Sequence, residues 1–558
     1  MQSGGRFWTF YVREAWRRVS RRAALLRLRA FRHTIQAPER LIVAPTDLRA
    51  IDSHVADEIM NGRFPLAGRM LETNGKSPFA FTLPSRAFAN RLHGFGWLRH
   101  MRAYKSDRAS LIARSIVDSW LSLHSGRIEG VAWEIDVTAQ RVIAWLSHSP
   151  VVLHNADRGF YRRFMRSLAF QVRYLRRMAP YAPAGEVLFR LRIALAMASI
   201  SMPMRAGALR KAALALDNEF DLQILPDGGH ISRNPRAGLE LLLDLLPLRQ
   251  TYVNLGHDLP QKLISGIDRM YPALRFFRHQ DGDLALFNGA TSTLANELMS
   301  VLRYDETAGQ PFKAMPHSRY QRLAAGKTVV IADTGTPPVG PLSRTAHAGC
   351  LSFEMSSGRH RFIVNSGSPK FAGKRYVQMA RTTATHSTVT LNDTSSSHFS
   401  PSEFLGHVMT DMVDSVTVER AETEDGRDGL KMVHDGYLRD FGVLHERAFY
   451  IAKRLGILDK THEPLFDAIH SQGFPMSSLE SIRALYVEKA GIKPADFDGI
   501  ANSFMIDGDM RNADALAVSY GITGTPTIVV GGKYAVDAQA DMLKVVDFVV
   551  DKVRKERK

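Results

Sequence analysis

The chain has 558 residues, 45% hydrophobic and 23% charged, with a formal net charge of +17 and one cysteine. This length and apolar content describe several folded domains rather than a disordered chain. The lone Cys350 excludes an intrachain disulfide framework and any cysteine-rich zinc site, and the basic excess favours polyanionic partners: nucleic acid, acidic lipid or acidic polysaccharide.

The N-terminal stretch RFWTFYVREAWRRVSRRAALLRLRAFRH (6–33) is rich in arginine and nearly free of acids. It lacks the uninterrupted apolar core and the small-residue cleavage site of a classical signal peptide. Aromatic and leucine residues recur at helical spacing between the arginines. Two readings follow: a basic amphipathic helix in peripheral contact with a membrane surface, or a solvated basic helix covering the end of a domain. No recognised nucleic-acid module accompanies this segment, so nucleic acid is not expected as a partner.

From about residue 50 to 325 the pattern is helical. SLIARSIVDSWLSLH, AQRVIAWLSHS, FYRRFMRSLAFQVRYLRRM, EVLFRLRIALAMASISM, MRAGALRKAALALDNEF and AGLELLLDLLPLRQTY each place apolar residues at i, i+3, i+4 and i+7. The most apolar run, IALAMASISMPM (193–204), falls short of the roughly 18 residues of a membrane span and reads as a buried helix. Successive helices with short turns suggest a bundle, a solenoid or an α/α toroid. Near Lys327 the period changes, and TVVIADTG, GCLSFEMSSG, HRFIVNSGS and HSTVTLND read as antiparallel strands. HQDGD (279–283) carries metal-ligand residue types but lacks calcium-loop spacing and reads as a turn; no metal site and no nucleotide motif is expected.

HAGCLSFEMSSGRHRFIVNSGSPKF (347–371) and ARTTATHSTVTLNDTSSS (380–397), together with WEIDVTAQRVIAWL (133–146), LPDGGHISRNP (225–235) and HDGYLRDFGVLHER (434–447), resemble the heparinase II/III-like family over residues about 10–447. The resemblance implies an α/α toroid followed by an antiparallel β-sandwich. It also implies a polysaccharide lyase acting by β-elimination on uronate-containing acidic glycans, with no cofactor. Such chemistry needs a donor to neutralise the uronate carboxylate, a base for the α-proton and an acid for the leaving oxygen.

His386 falls where the family places its β-domain histidine, and Arg381 is a candidate to pair with a substrate carboxylate. In LPDGGHISRNP the chain departs from the family pattern. Asp227 stands where an Asn or His neutraliser is usual, His230 replaces a Glu, Ser232 agrees, and Pro235 sits near the usual tyrosine. His230, Arg233 and Asn234 remain candidate donors, with helix capping by Asp and Asn as the alternative. Tyr271 is the candidate catalytic tyrosine and Tyr252 its alternative.

From Ala448 the text changes again. GILDKTHEPLFDAIH (456–470) and YGITGTPTIVVGGKY (520–534) are similar to the C-terminal part of DsbA-type thiol-disulfide oxidoreductases, in which a Thr-Pro pair, here Thr525 and Pro526, faces a Cys-x-x-Cys pair. This chain has no such pair, so the loop is expected to be vestigial. The resemblances imply a periplasmic or cell-envelope location. The expected organisation is multidomain α+β: a basic segment (1–45), a helical toroid-like domain (46–325), a truncated β domain (326–447) and a partial thioredoxin-like segment (448–558). A lyase on acidic polysaccharide leads the functional readings, followed by a non-catalytic polyanion-binding protein; a thiol-disulfide oxidoreductase is disfavoured.

Overall fold

The computed structural model describes residues 2–556, apart from 31–33, 35, 205, 308, 339, 370, 389, 391–394, 401, 403, 412–416, 423–427, 434–436, 471–475, 477, 502, 521–526, 531–532 and 538–541. It is multidomain α+β and divides into two compact units, Met1–Val433 and His434–Lys558.

In the first unit the helical periodicity is realised in two tiers. Ile135–Ser147 and Glu186–Ser201 are buried on nearly every side, polar residues such as Arg141 and Arg190 included. Asp107–His124, Arg158–Met178 and Leu263–Phe277 are amphipathic and turn one polar face to solvent. Pro235–Asn254 packs against both Glu186–Ser201 and Leu263–Phe277. Arg141, wholly buried, sits at the centre of this layer. Its guanidinium donates to Gln171 Oε1 and to the carbonyls of His93 and Ala132, and lies 4.2 Å from the centroid of a Trp120 ring. With no carboxylate beside it, burial pulls its pKa down to about 9.

A small hairpin, β1 (Arg63–Leu66) and β2 (Arg69–Glu72), interrupts the helices early in the chain. The predicted change of period near Lys327 corresponds to a five-stranded antiparallel sheet in sequential order: β3 (Ala314–Met315), β4 (Tyr320–Ala325), β5 (Thr328–Asp333), β6 (Phe353–Ser357) and β7 (His360–Ile363). HSTVTLND differs from its expected strand: residues 386–388 are bends and most of the rest lies outside the described residues. Further pairs are β8 (His398–Phe399) with β9 (Met409–Asp411), and β10 (Thr417–Glu422) with β11 (Asp428–Val433). HQDGD forms a turn closed by the bridge Arg278↔Leu284; its His279 is buried against Ser356 Oγ and Glu354.

The N-terminal helix, Gln2–Ala30, turns Ala24 and Leu28 into the main core, and its buried Glu14 accepts from Arg17 and Arg18. Val12, Trp16, Val19 and Leu26, spaced four, three and seven residues apart, form an exposed stripe on the other face, Trp16 at 72% exposure.

The expected seam near 447–450 falls inside a helix of the second unit. Tyr437–Leu455 is one continuous helix through that point, so HDGYLRDFGVLHER does not end a β domain. Ala448, Ile451 and Ala452 recur at helical spacing and are buried in a separate core with Ile482, Tyr486, Phe497 and Ile506. The sheet here consists of β12 (Thr527–Val530) and β13 (Tyr534–Asp537) among the described residues. Thr525 and Pro526 lie outside the described residues.

A charged node fastens helices to sheet within the first unit. Arg233, in the loop before Pro235–Asn254, pairs with Asp333 at the end of β5 and donates to the carbonyls of Ser318, Thr336 and Arg319. Tyr320 OH donates to Arg233 O at 2.7 Å, and Asn288 Nδ2 donates to both Tyr320 OH and Asp333 Oδ2. Asp333→Ala leaves the buried guanidinium without its counter-ion and is expected to cost about 3–5 kcal/mol. The denaturant midpoint of the first unit measures it, and a loss below about 1 kcal/mol would contradict the assignment.

Candidate functional site

A cleft of ≈ 930 Å³ opens in the first unit, lined by residues between Asp47 and Phe371. Its walls carry five arginines against six carboxyl groups. Three of those arginines are committed to wall or near-wall carboxylates. Arg49 pairs with Asp47 and Asp244, Arg190 with Asp136 and Asp244, and Arg236 with Glu240 and Glu297. Burial alone would raise Glu240, but Arg236, Arg49 and Arg190 hold it down at about 2. The other two, exposed Arg91 and half-buried Arg99, make no direct ion pair among the described residues, though Glu240 and Glu297 act on Arg91 and Asp47 and Glu297 on Arg99.

Glu186 stands in this wall as the first residue of its helix, after Gly185 at φ 97°. The helix dipole favours an anion there by roughly 0.3–1 kcal/mol. Burial outweighs it and lifts the carboxyl to about 7, with Arg190 pulling the other way. Asn234 Nδ2 lies 3.5 Å from Glu186 Oε1. Sequence reading missed Glu186, because a glutamate in the first turn of a helix ordinarily reads as a dipole partner.

Of the residues singled out from sequence, Asn234 alone lines the cleft. It also caps the helix after it, its Oδ1 accepting from Arg236 N at 2.9 Å, so the capping alternative holds for Asn234. Asp227 does not cap; it accepts from Ser318 N and Oγ in the sheet layer. His230 is sealed: Ser232 N donates to its Nδ1, its Nε2 donates to Gln223 Oε1, and burial pushes its pKa down to about 3. Arg233 is consumed by the node.

Tyr271 and Tyr252 are core residues with hydroxyls out of solvent, and burial raises both to about 12. Arg381 is 1% exposed and donates to the carbonyls of Ala346, His407 and Ser343 and to Gln378 Oε1, which leaves little for a substrate carboxylate. His230, Tyr271, Arg381 and Arg233 share one feature: each is out of solvent, its polar atoms either committed to protein partners or enclosed.

His386 is half-buried and does not line the cleft. Its Nδ1 donates to Asn365 Oδ1 at 3.2 Å, which leaves Nε2 as the acceptor, and that atom is out of solvent with no protein partner. Burial lowers its pKa to about 4, so the ring is neutral near pH 7, as a base requires. The His347 ring lies 5.1 Å away, and Gly349 leaves the space that a Cβ would take 3.1 Å from His386 Cγ.

Comparison with known proteins places this geometry. FtsZ-localized protein C of Caulobacter vibrioides (strain NA1000 / CB15N) is 32% identical over 422 residues, covering 74% of this chain and 71% of the relative. The family model for the heparinase II/III-like C-terminal domain matches residues 307–462. The chain belongs with FtsZ-localized protein C, and over residues 307–462 it carries a heparinase II/III-like C-terminal domain. The crystal structure of heparinase III aligns over 74% of the chain and 71% of its own length at TM-score 0.57 and 14% identity, a likeness of fold. The DSBA-like thioredoxin domain model matches residues 442–547. Over 116 residues, 20% of the chain, the thiol:disulfide interchange protein DsbA of Pseudomonas aeruginosa is 32% identical. The chain spans about half the length of the DsbA relatives it matches. In this heparinase II/III-like chain the two family matches overlap at 442–462, within or beside the helix Tyr437–Leu455. Among the described residues no cluster of side chains could hold a metal ion, and no helix is long and apolar enough to cross a membrane.

The Glu186 carboxyl sets a pH dependence. Its folded pKa lies above the ordinary 4.5, so the folded state holds its proton longer than the unfolded chain. Stability from this group is full below about pH 4.5 and falls as pH rises to about 7. Glu186→Gln is expected to remove that fall, raising stability above pH 7 by up to about 3 kcal/mol and changing little at pH 4. Thermal midpoints of both proteins across pH 4–9 check it; parallel profiles would count against the assignment.

Proposed function

We propose that the protein is a polysaccharide lyase-like protein of the cell envelope that binds a uronate-containing glycan in the cleft and cleaves it by β-elimination. The observation that carries the reading is a proton-exchanging carboxyl, Glu186, beside the Asn234 amide inside a large cleft. In the reaction a base removes the proton α to the uronate carboxylate, a C=C bond forms between that carbon and its neighbour, and the bond to the glycosidic oxygen breaks. That oxygen leaves with a proton. Ionised Glu186 takes the first proton and returns it to the leaving oxygen, while Asn234 donates to the uronate carboxylate. His386, with Nδ1–H held by Asn365 and Nε2 enclosed without a protein partner, is the alternative base, and it needs a local opening of the sheet layer to reach a substrate.

Incubation with uronate polysaccharides, followed by ultraviolet absorbance of the unsaturated product, tests the reading. Activity is expected to fall at least 100-fold in Glu186→Gln. If His386→Ala abolishes product while Glu186→Gln does not, the proton moves through the sheet layer instead. A parent protein with no product on any uronate glycan would end the lyase reading.

A second reading, a binding protein that holds the glycan intact, is supported by the enclosure of His230, Tyr271 and Tyr252 and by the name of the Caulobacter relative, which ties that protein to FtsZ rather than to a reaction. For this chain the corresponding proposal is co-sedimentation with FtsZ polymers without glycan turnover.

The exposed stripe Val12, Trp16, Val19 and Leu26 supports peripheral contact of the N-terminal helix with an anionic membrane surface. Trp16→Glu is expected to reduce sedimentation with vesicles containing 30% phosphatidylglycerol at least five-fold, and unchanged sedimentation would leave the helix as a solvated cover.

A further inference from the structure

Glu186 and Arg190 stand four residues apart on the helix Glu186–Ser201, the spacing at which an acid followed by a base ordinarily pairs. Here they do not. Among the described residues the Glu186 carboxyl has no ion pair, and its one hydrogen bond is the long contact from Asn234 Nδ2 at 3.5 Å. Arg190 is engaged elsewhere: its Nη1 donates to Asp136 Oδ1 at 2.6 Å, and its Nε lies 3.6 Å from Asp244 Oδ2. Asp136 is in the first turn of the helix Ile135–Ser147 and does not itself line the cleft. Its other oxygen accepts from Gln140 Nε2 at 2.8 Å, and Gly94 makes room for Gln140, since a Cβ there would fall 3.1 Å from Gln140 Oε1. Both oxygens of Asp136 are therefore fixed. The remaining charges that act on Glu186 come from Pro235–Asn254: Glu240, which raises it, and Arg236, which lowers it but is paired with Glu240 and Glu297. On the packed helix Ala206–Gln223, Glu219 accepts from Arg192 instead, and near Gly185 the turn Gly340–Arg344 brings uncharged Leu342, its Arg344 pairing with Glu14.

We propose that Asp136 is a positioning residue for the cleft carboxyl: by engaging Arg190 it denies Glu186 the cation four residues along its own helix, and so leaves Glu186 able to take up and release a proton. This rests on the reading that Glu186 moves the proton in the reaction, and it names the residue that keeps it able to. A direct ion pair would hold Glu186 ionised and make it a poor donor to a leaving oxygen. Arg190 already pulls on Glu186 more strongly than any other charge does. Without Asp136 the guanidinium keeps only Asp244, which Arg49 already serves, and its released Nη1 becomes available to Glu186.

Carbon-13 NMR of the full chain, labelled at the glutamate side-chain carboxyl, follows the Glu186 titration, its resonance assigned by its loss in Glu186→Gln. Asp136→Asn is expected to lower the midpoint by about one pH unit or more. In an Arg190→Gln background the same substitution is expected to lower it less than half as far, because no guanidinium remains to be released. Half or more of the lowering in that background would overturn the proposal, since Asp136 would then act only through its own charge. An unmoved midpoint in Asp136→Asn would overturn it as well. Asp136→Ser removes the same charge with a smaller side chain and is expected to lower the midpoint likewise, so it decides the matter should Asp136→Asn fail to fold. Where the parent turns over a uronate glycan, the acidic limb of its rate profile is expected to move down with the midpoint. A parent without turnover ends the lyase reading and leaves the titration to judge Asp136.

Discussion

The buried pair Arg233 and Asp333 is the constraint from which the first unit is organised. A guanidinium out of water is tolerated only with its donors satisfied, and here a carboxylate and three carbonyls satisfy them. Those acceptors come from the sheet layer, so the loop 225–235 has to run between helices and sheet. The close approach leaves no room for side chains at three glycines. A Cβ on Gly228 would fall 1.8 Å from Arg269 O, on Gly229 1.9 Å from Ser318 Oγ, and on Gly335 2.6 Å from Arg233 Nη2. The Asp-Gly-Gly-His text thus records a packing requirement. It also explains the fates of its neighbours: His230 faces inward and is sealed, while Asn234, one residue beyond the node, reaches the cleft as it caps the next helix.

Net charge and local charge separate in this molecule. The +17 of the sequence suggests a basic cleft, yet the cleft wall balances arginines against carboxyl groups, and the arginine-rich text lies in the N-terminal helix and in Arg158–Met178. Two unit charges 6 Å apart at an effective dielectric of about 20 interact by about 3 kcal/mol, so neighbours within the wall decide protonation far more than distant surface charge does. Glu186 shows the outcome. Its neighbours Glu240 and Asp136 add to burial, Arg190 and Arg236 oppose it, and the carboxyl is left poised near neutrality while Glu240, closer to the cations, stays ionised.

Helices were legible because burial writes a 3.6-residue period into the chain, and the apolar run 193–204 marked one of the inner helices. Strands β5 to β7 were legible in the β-branched runs after Lys327. The site was less so. His386 could be placed from its surrounding text, but the hydrogen bond from Nδ1 to Asn365 that sets its tautomer joins residues 21 apart in sequence. Arg381 and Tyr271 have the right chemistry for a site and the wrong burial, and residue type carries no mark of that difference. Glu186 becomes a candidate only through its tertiary neighbours, none of which is local except Arg190.

The second unit is held together by its helices. Its core is assembled by helices: Ala448, Ile451 and Ala452 on the helix that crosses the expected seam, met by Ile482, Tyr486 and Phe497. A two-stranded ladder such as β12 and β13 contributes little independent stability, so the helices carry the burden. Thiol exchange needs a thiolate, and the chain's one cysteine lies in the other unit. Burial raises the Cys350 thiol to about 12, so it stays protonated near neutral pH. The DsbA-like segment thus carries a helical scaffold without a cysteine of its own.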